Sequence, residues 1–426
     1  FIILEWINEH TEFELDNRQK IIFNCYLKTG QLTKASEFGV ELMYMYFESF
    51  DFKSAYEISS KLYALNCVNH NSLEYFRLCY VYAMSSWETI DAYKTLEIYE
   101  EIHELLPGII DDVPVDELCR YYREYINAYS HAGLYKNIEK LLDEFQSIPN
   151  IPIEYEFVLH NRYTVFYMRT NNYYLAKEHG DKAFKIAENL DDNFLKSTAC
   201  SDIAFNYLYN KKDYKNSEIF FNKAIEYYEK CVDKTYFRIL EIHNQKALVY
   251  LFNHDYQNAI KELNQSINKS NYKKNLYMEA KALNYKGIVQ THSGAYDDAL
   301  DTWRNAIRIN EKLGNFSSLI CIYINISSLF LIQKDYIKAY DAANRGIIYL
   351  NDDNNPVNWS HNHNPLFHNY LLCCNELGFK KEIEILLSKY PQYSEFYNDL
   401  CHAINVKDYF IEKSMNYFGL NGYSFF

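Results

Sequence analysis

Glycine and proline are scarce in this chain, with 12 and 7 residues among 426. So few glycines leave little to build a phosphate-cradling loop. No Gly-x-x-x-x-Gly-Lys-Ser/Thr, Gly-x-Ser-x-Gly or His-Glu-x-x-His motif is present. No enzymatic activity and no cofactor are expected from this segment. Long apolar runs are missing too: none approaches the 18 residues of a membrane-spanning helix, and no signal peptide is visible. Basic residues are outnumbered, 43 Lys plus Arg against 57 Asp plus Glu, for a net charge of −14. With no basic run, such a surface opposes contact with nucleic acid.

The ten cysteines include no Cys-x-x-Cys pair. Scattered in this way they read as small buried hydrophobes in a reducing cytoplasm. His361, His363, His368, Cys373 and Cys374 offer imidazole and thiolate groups, but at a spacing that matches no standard structural site, so no metal is expected. The pairs Asp111-Asp112, Asp191-Asp192, Asp297-Asp298 and Asp352-Asp353 fall in turns or at helix starts. Carboxylates there cap backbone N–H groups, which explains them better than acid–base catalysis does.

What the chain has in abundance is tyrosine, 43 residues beside 27 Phe. Its apolar ring and polar tip suit half-buried positions where helices meet near solvent. With 48% hydrophobic and 23% charged residues, the composition is that of a folded protein.

A signature recurs about every forty residues: Asn-Asn-Tyr-Tyr-Leu-Ala to Ala176, Lys-Asp-Tyr-Lys-Asn-Ser to Ser217, His-Asp-Tyr-Gln-Asn-Ala to Ala259, Gly-Ala-Tyr-Asp-Asp-Ala to Ala299 and Lys-Asp-Tyr-Ile-Lys-Ala to Ala339. Followed outward, the turn aromatics Phe52, Tyr93, Tyr135, Tyr173, Tyr214, Tyr256, Tyr296, Tyr336 and Phe379 stand 41, 42, 38, 41, 42, 40, 40 and 43 residues apart. One register thus spans nearly the whole chain. After each aromatic comes a small residue three positions on, replaced by Ile138 and Glu382 towards the ends, then an apolar helical stripe such as Ala299, Trp303 and Ala306. Ahead of each turn a second helical run carries Thr164, Ala204, Ala247, Gly287 or Ser327. Each unit is therefore a helix, a short turn and a helix. Pro107, Pro149, Pro152, Pro356 and Pro391 are expected to end helices.

A small residue, Tyr three later, a Gly/Asp-Tyr turn, then Ala and a large apolar residue together resemble the tetratricopeptide repeat, most closely over 150–350. The implied fold is all-α: a right-handed α-solenoid of tandem helix–turn–helix repeats, longer than the family's basic unit of about 34 residues. Three segments are expected: an attachment segment over 1–65, the array over 66–350, and an irregular loop, last helical pair and cap over 351–426. Gly30 to Ala35 and Phe50 to Ala55 carry the turn signature only twenty residues apart, so the helix between them must serve both neighbours. That region resembles the junction joining a repeat array to a signal-transducing NTPase of the STAND type.

Asn161, Ser201, Asn244 and Asn284 stand three places before the small residue of each first helix, with Asn325 near the same place. In register, they form a ladder along one side. First helices of tetratricopeptide proteins face the concave groove, so the resemblance implies a ligand-binding ladder, amides supplying donor and acceptor together. Met168, Leu208, Leu251 and His292 would add to the groove wall. The plainer alternative is that these amides bond neighbouring helices or face water.

The expected function is a non-catalytic, cytoplasmic interaction module. It would bind a protein or peptide and relay recognition to an effector preceding Phe1, as in regulators of bacterial defence. Self-association through the array or through that preceding region is compatible with this scheme. A peptide-pheromone receptor of the quorum-sensing type and a passive assembly scaffold are the alternatives.

Overall fold

The computed structural model describes residues 15–49, 51–85, 92–131, 134–231, 236–272, 275–351 and 364–402, which form helices joined by turns, with no strand among them. Two compact units divide at Pro152 and Ile153, inside the segment read from sequence as one array.

The first unit holds α1 (Leu15–Lys28), α2 (Leu32–Glu48), α3 (Phe52–Leu65), α4 (Leu73–Ser85), α5 (Ala92–Ile109), α6 (Val115–His131) and α7 (Ile138–Gln146). Helix α2 does serve both neighbours: a Cβ on its Gly39 would strike Phe23 of α1 and Leu62 of α3. Pro107 does not end α5 but lies within its final turn, and the helix runs on to Ile109 before a 3-10 turn at Ile110–Asp112. So near the C-terminus the ring removes little of the remaining hydrogen-bond ladder.

The second unit holds α8 (Ile153–Arg169), α9 (Tyr173–Asn189), α10 (Asn193–Asn206), α11 (Tyr214–Glu229), α12 (Tyr236–Phe252), α13 (Tyr256–Tyr272), α14 (Leu276–His292), α15 (Tyr296–Leu313), α16 (Phe316–Ile332), α17 (Tyr336–Leu350), α18 (Asn364–Leu377), α19 (Lys380–Lys389) and α20 (Ser394–His402). Consecutive helices pair, and the first helices of successive pairs also pack on one another, α8 on α10, α12 on α14, α14 on α16 and α16 on α18.

The turns explain the recurring signature. Two residues before Tyr173, Tyr214, Tyr256, Tyr296 and Tyr336 the backbone is left-handed, at Asn171, Lys212, His254, Gly294 and Lys334, with φ between 51° and 82°. This breaks the first helix. The Asp or Asn that follows the left-handed residue then starts the second: Asp213, Asp255 and Asp335 accept the N–H three residues on at 3.1–3.2 Å. Asp192 caps α10 in the same way, accepting from Phe194 and Leu195 at 2.7 and 3.0 Å. The small residues Ala176, Ser217, Ala259, Ala299 and Ala339 are fully buried, where paired helices approach most closely.

The last unit departs by one residue. Phe379 is the N-cap of α19, not its first residue. The position equivalent to Ala299 is therefore buried Ile383, whose N–H bonds the Phe379 carbonyl as that of Ala299 bonds Ala295. Glu382, placed there by sequence, is one step off the packed face.

Candidate functional site

The repeats of the second unit are not equivalent. From the small residue of the first helix to the turn aromatic is nine residues at Thr164–Tyr173, Ala247–Tyr256, Gly287–Tyr296 and Ser327–Tyr336, but ten at Ala204–Tyr214. That extra residue is absorbed as a π-helical turn, Tyr207–Lys211, at the end of α10. The hydrogen bond closing the turn shows the same slip. Asp255, Ala295 and Asp335 bond the carbonyl five residues back, whereas Asp213 reaches six back, to Tyr207. Such one-residue expansions are rare and concentrate at functional sites.

Beside this turn, α8, α10 and α12 enclose a cavity of about 410 Å³. The apolar part of its lining is Val165, Met168, Phe194, Phe205 and Tyr209. The rings of Phe205 and Tyr209 stack at 5.8 Å, and Phe252 meets Tyr209 edge-on at 6.1 Å. The polar part is Asn161, Arg162, Arg169, Asp202, Arg238 and Gln245. Asn161 donates its amide to Asp202 Oδ2. Burial raises the Asp202 carboxyl to about 6, against the opposing pull of Arg238, Arg162 and the Asn161 bond. Arg169 acts on the Tyr209 phenol, partly offsetting the rise that burial imposes on that hydroxyl. Donors, aromatic faces and one half-buried carboxylate in a concavity are the equipment of recognition.

Of the residues singled out by sequence, Asn161 and Met168 line this cavity. The rest of the ladder does not open to a groove. Ser201, Asn244, Asn284 and Asn325 have no exposed surface. Ser201 donates to Gln245 Oε1 at 2.9 Å, Asn325 donates to Asn284 Oδ1 at 3.0 Å, and Asn244 is buried with neither amide atom bonded among the described residues. Leu208 and Leu251 belong to the core, and His292 is half-buried at the end of α14. The ladder is in register but points between helices. Several of the cavity's side chains stand one residue further on, at Arg162, Asp202 and Gln245, and a step of one residue turns about 100° around a helix. The ten-residue spacing at Tyr214 was the signal in the sequence that could have marked the place.

Of the histidine and cysteine cluster, His361 and His363 lie outside the described residues. His368 stacks on Phe396 at 3.9 Å, and Cys373 and Cys374 are core residues, burial pushing the Cys374 thiol up to about 12. No described helix is long and apolar enough to cross a membrane.

No family model matches the chain, and no curated protein does. Solved structures do. A STAND protein with a tetratricopeptide repeat sensor from Pyrococcus horikoshii is 14% identical over 88% of this chain and 55% of that one, with a TM-score of 0.50. The fold is a tetratricopeptide-repeat solenoid. Aspartyl phosphate phosphatase F from Bacillus subtilis is 15% identical over 90% and 94% of the two chains, TM-score 0.47. A Rap protein complexed with Competence and Sporulation Factor is 16% identical over 90% and 97%, TM-score 0.46. At these identities the likeness is one of fold. This solenoid spans just over half of the STAND protein's chain.

Proposed function

We propose that this solenoid is a protein- or peptide-recognition module whose ligand enters the cavity between α8, α10 and α12. The observation that carries the reading is the inserted residue of α10: it interrupts an otherwise regular array at one repeat, and that repeat bears an amphipathic cavity. A packing accident would not need three guanidinium groups around it. We further propose that binding is relayed to an effector domain N-terminal to Phe1. The resemblance of residues 21–65 to the junction of STAND regulators supports this arrangement.

Thr198 lines the cavity from α10 and is half-buried at its wall, so Thr198→Trp fills the space with little cost to folding. Peptides selected from a random displayed library on the wild-type chain should lose about tenfold or more in affinity for this variant. Equal affinity for both chains would place the binding surface elsewhere.

A further inference from the structure

We propose that His160 and His179 form a binding site for one divalent transition-metal ion of the nickel or zinc class, which bridges α8 and α9. His160 directly precedes Asn161 and Arg162 of the cavity, but neither histidine belongs to its lining. The site stands independently of the recognition reading above.

The geometry is that of a chelate. The two residues come from the two helices of one pair, and their Nδ1 atoms stand 3.1 Å apart, with the ring planes inclined at 67°. Bonds from such an ion to imidazole nitrogen are about 2.0–2.1 Å, so an ion bound equally to both nitrogens would subtend about 100° between them. That angle lies between the square-planar and tetrahedral values. Imidazole is a ligand suited to zinc, copper and nickel alike.

The nitrogens are prepared for this role. Tyr163 packs on the His179 ring at 4.3 Å and Tyr167 at 5.7 Å, and the two phenol rings stack on each other at 5.9 Å. An imidazole held in this way has less freedom to lose when an ion arrives. Burial holds His160 down at about 4 and lowers His179 too, so both rings are uncharged at neutral pH. In the metal-free pair one Nδ1–H donates to the other nitrogen. Transfer of that proton, through water, to Nε2 of the same ring frees both lone pairs, so binding requires no net release of a proton.

The surroundings moderate the affinity. Lys182 acts on both rings and opposes a further cation, but Glu178, which also acts on both, binds its ammonium at 2.7 Å. Among the described residues no third His, Cys, Asp or Glu completes a cluster, so water takes the remaining coordination positions.

Calorimetric titration of Ni²⁺ into the full chain at neutral pH tests the site, with Cys401→Ser as background to remove the exposed thiol. One equivalent should bind with a Kd of about 100 µM or tighter and raise the thermal unfolding midpoint. His160→Gln and His179→Gln should each weaken binding about tenfold or more while unfolding cooperatively without the ion. In the chain with both histidines intact, paramagnetic Ni²⁺ should broaden the imidazole resonances of His160 and His179 before those of the other histidines, a readout that needs neither variant to fold. Equal affinity in either variant, or broadening that starts at other histidines, places the ion elsewhere and overturns the proposal. Absence of saturable binding up to about 1 mM overturns it too, leaving a hydrogen-bonded pair that takes no ion.

Discussion

Trp303 donates its indole N–H to Asn284 Oδ1 at 3.0 Å, and the same oxygen receives the Asn325 amide at 3.0 Å. One buried acceptor thus ties α15, α14 and α16 together. Asn369 repeats the device further on, donating to Ser327 and Ser328 at 2.8 and 2.9 Å. Asn284→Ala takes this acceptor from the Asn325 amide and leaves the Trp303 indole only the Asn284 carbonyl, at 3.2 Å, and should cost about 1–3 kcal/mol in chemical denaturation. A loss below the error of the measurement would contradict the structural role assigned to the ladder.

Gly287 makes room for the same indole. A Cβ on it would collide with Trp303, whereas one on Gly108 would meet nothing within 4 Å. Gly287→Ala should therefore destabilise by about 1–3 kcal/mol, because a rigid buried ring cannot give way cheaply. Gly108→Ala should be neutral or slightly stabilising, as Ala is favoured over Gly within a helix. Paired thermal melts would check the contrast; similar shifts for both variants would count against the packing described.

Deleting Asn210 restores the nine-residue spacing found in the other repeats. The π-helical turn should then close into regular α-helix, keeping or raising the unfolding midpoint, while Tyr209 is rotated out of the cavity and affinity for the selected peptides falls about tenfold or more. Retained binding with a regular helix, seen in a structure of the variant, would sever the insertion from the site.

Acid should loosen the second unit through its histidines. His160 and His179 face each other at 3.1 Å beside Tyr163. Burial holds His160 down at about 4, with the charges of His179 and Lys182 acting in the same direction, and burial also lowers His179 and His292. The unfolded chain takes up these protons near 6.5, the folded chain only lower. Their contribution is therefore complete above about 6.5 and is lost as pH falls towards 4. Asp202, raised to about 6, opposes part of this slope, since the folded chain binds its proton first. His160→Gln should flatten stability against pH in that window by on the order of 2 kcal/mol. An unchanged slope would show that the pair titrates freely.

Lys281 meets both oxygens of Glu241, at 3.0 and 3.1 Å, and neither residue reaches solvent appreciably. Lys281→Met alone should cost about 3–5 kcal/mol by stranding a buried carboxylate. The double variant Glu241→Leu/Lys281→Met should recover most of that loss. A double variant no more stable than the single one would mean that the pair anchors more than itself.

The repeating fold was legible because each unit repeats the same local solution: a residue held in the left-handed turn, most often a capping Asp or Asn after it, and a small residue where helices touch. Asp213, Asp255 and Asp335 do what their place in the signature implies. Phe379 misled by one position because an aromatic residue serves at an N-cap as well as in the first turn, and only the hydrogen bond from Ile383 distinguishes the two.

Sequence by itself determined the helix–turn–helix unit, its period and the register of the asparagine ladder, since these depend on contacts within one or two neighbouring helices. Tertiary structure decided which way the ladder faces. A rotation of about 100° separates Asn244 from Gln245, both buried, and only tertiary packing selects which of them meets the cavity. It also decided that Arg162, Asp202 and Arg238, far apart along the chain, would share one cavity beside the residue that breaks the period. Such convergence arises from stacking across three repeats, and no local pattern encodes it.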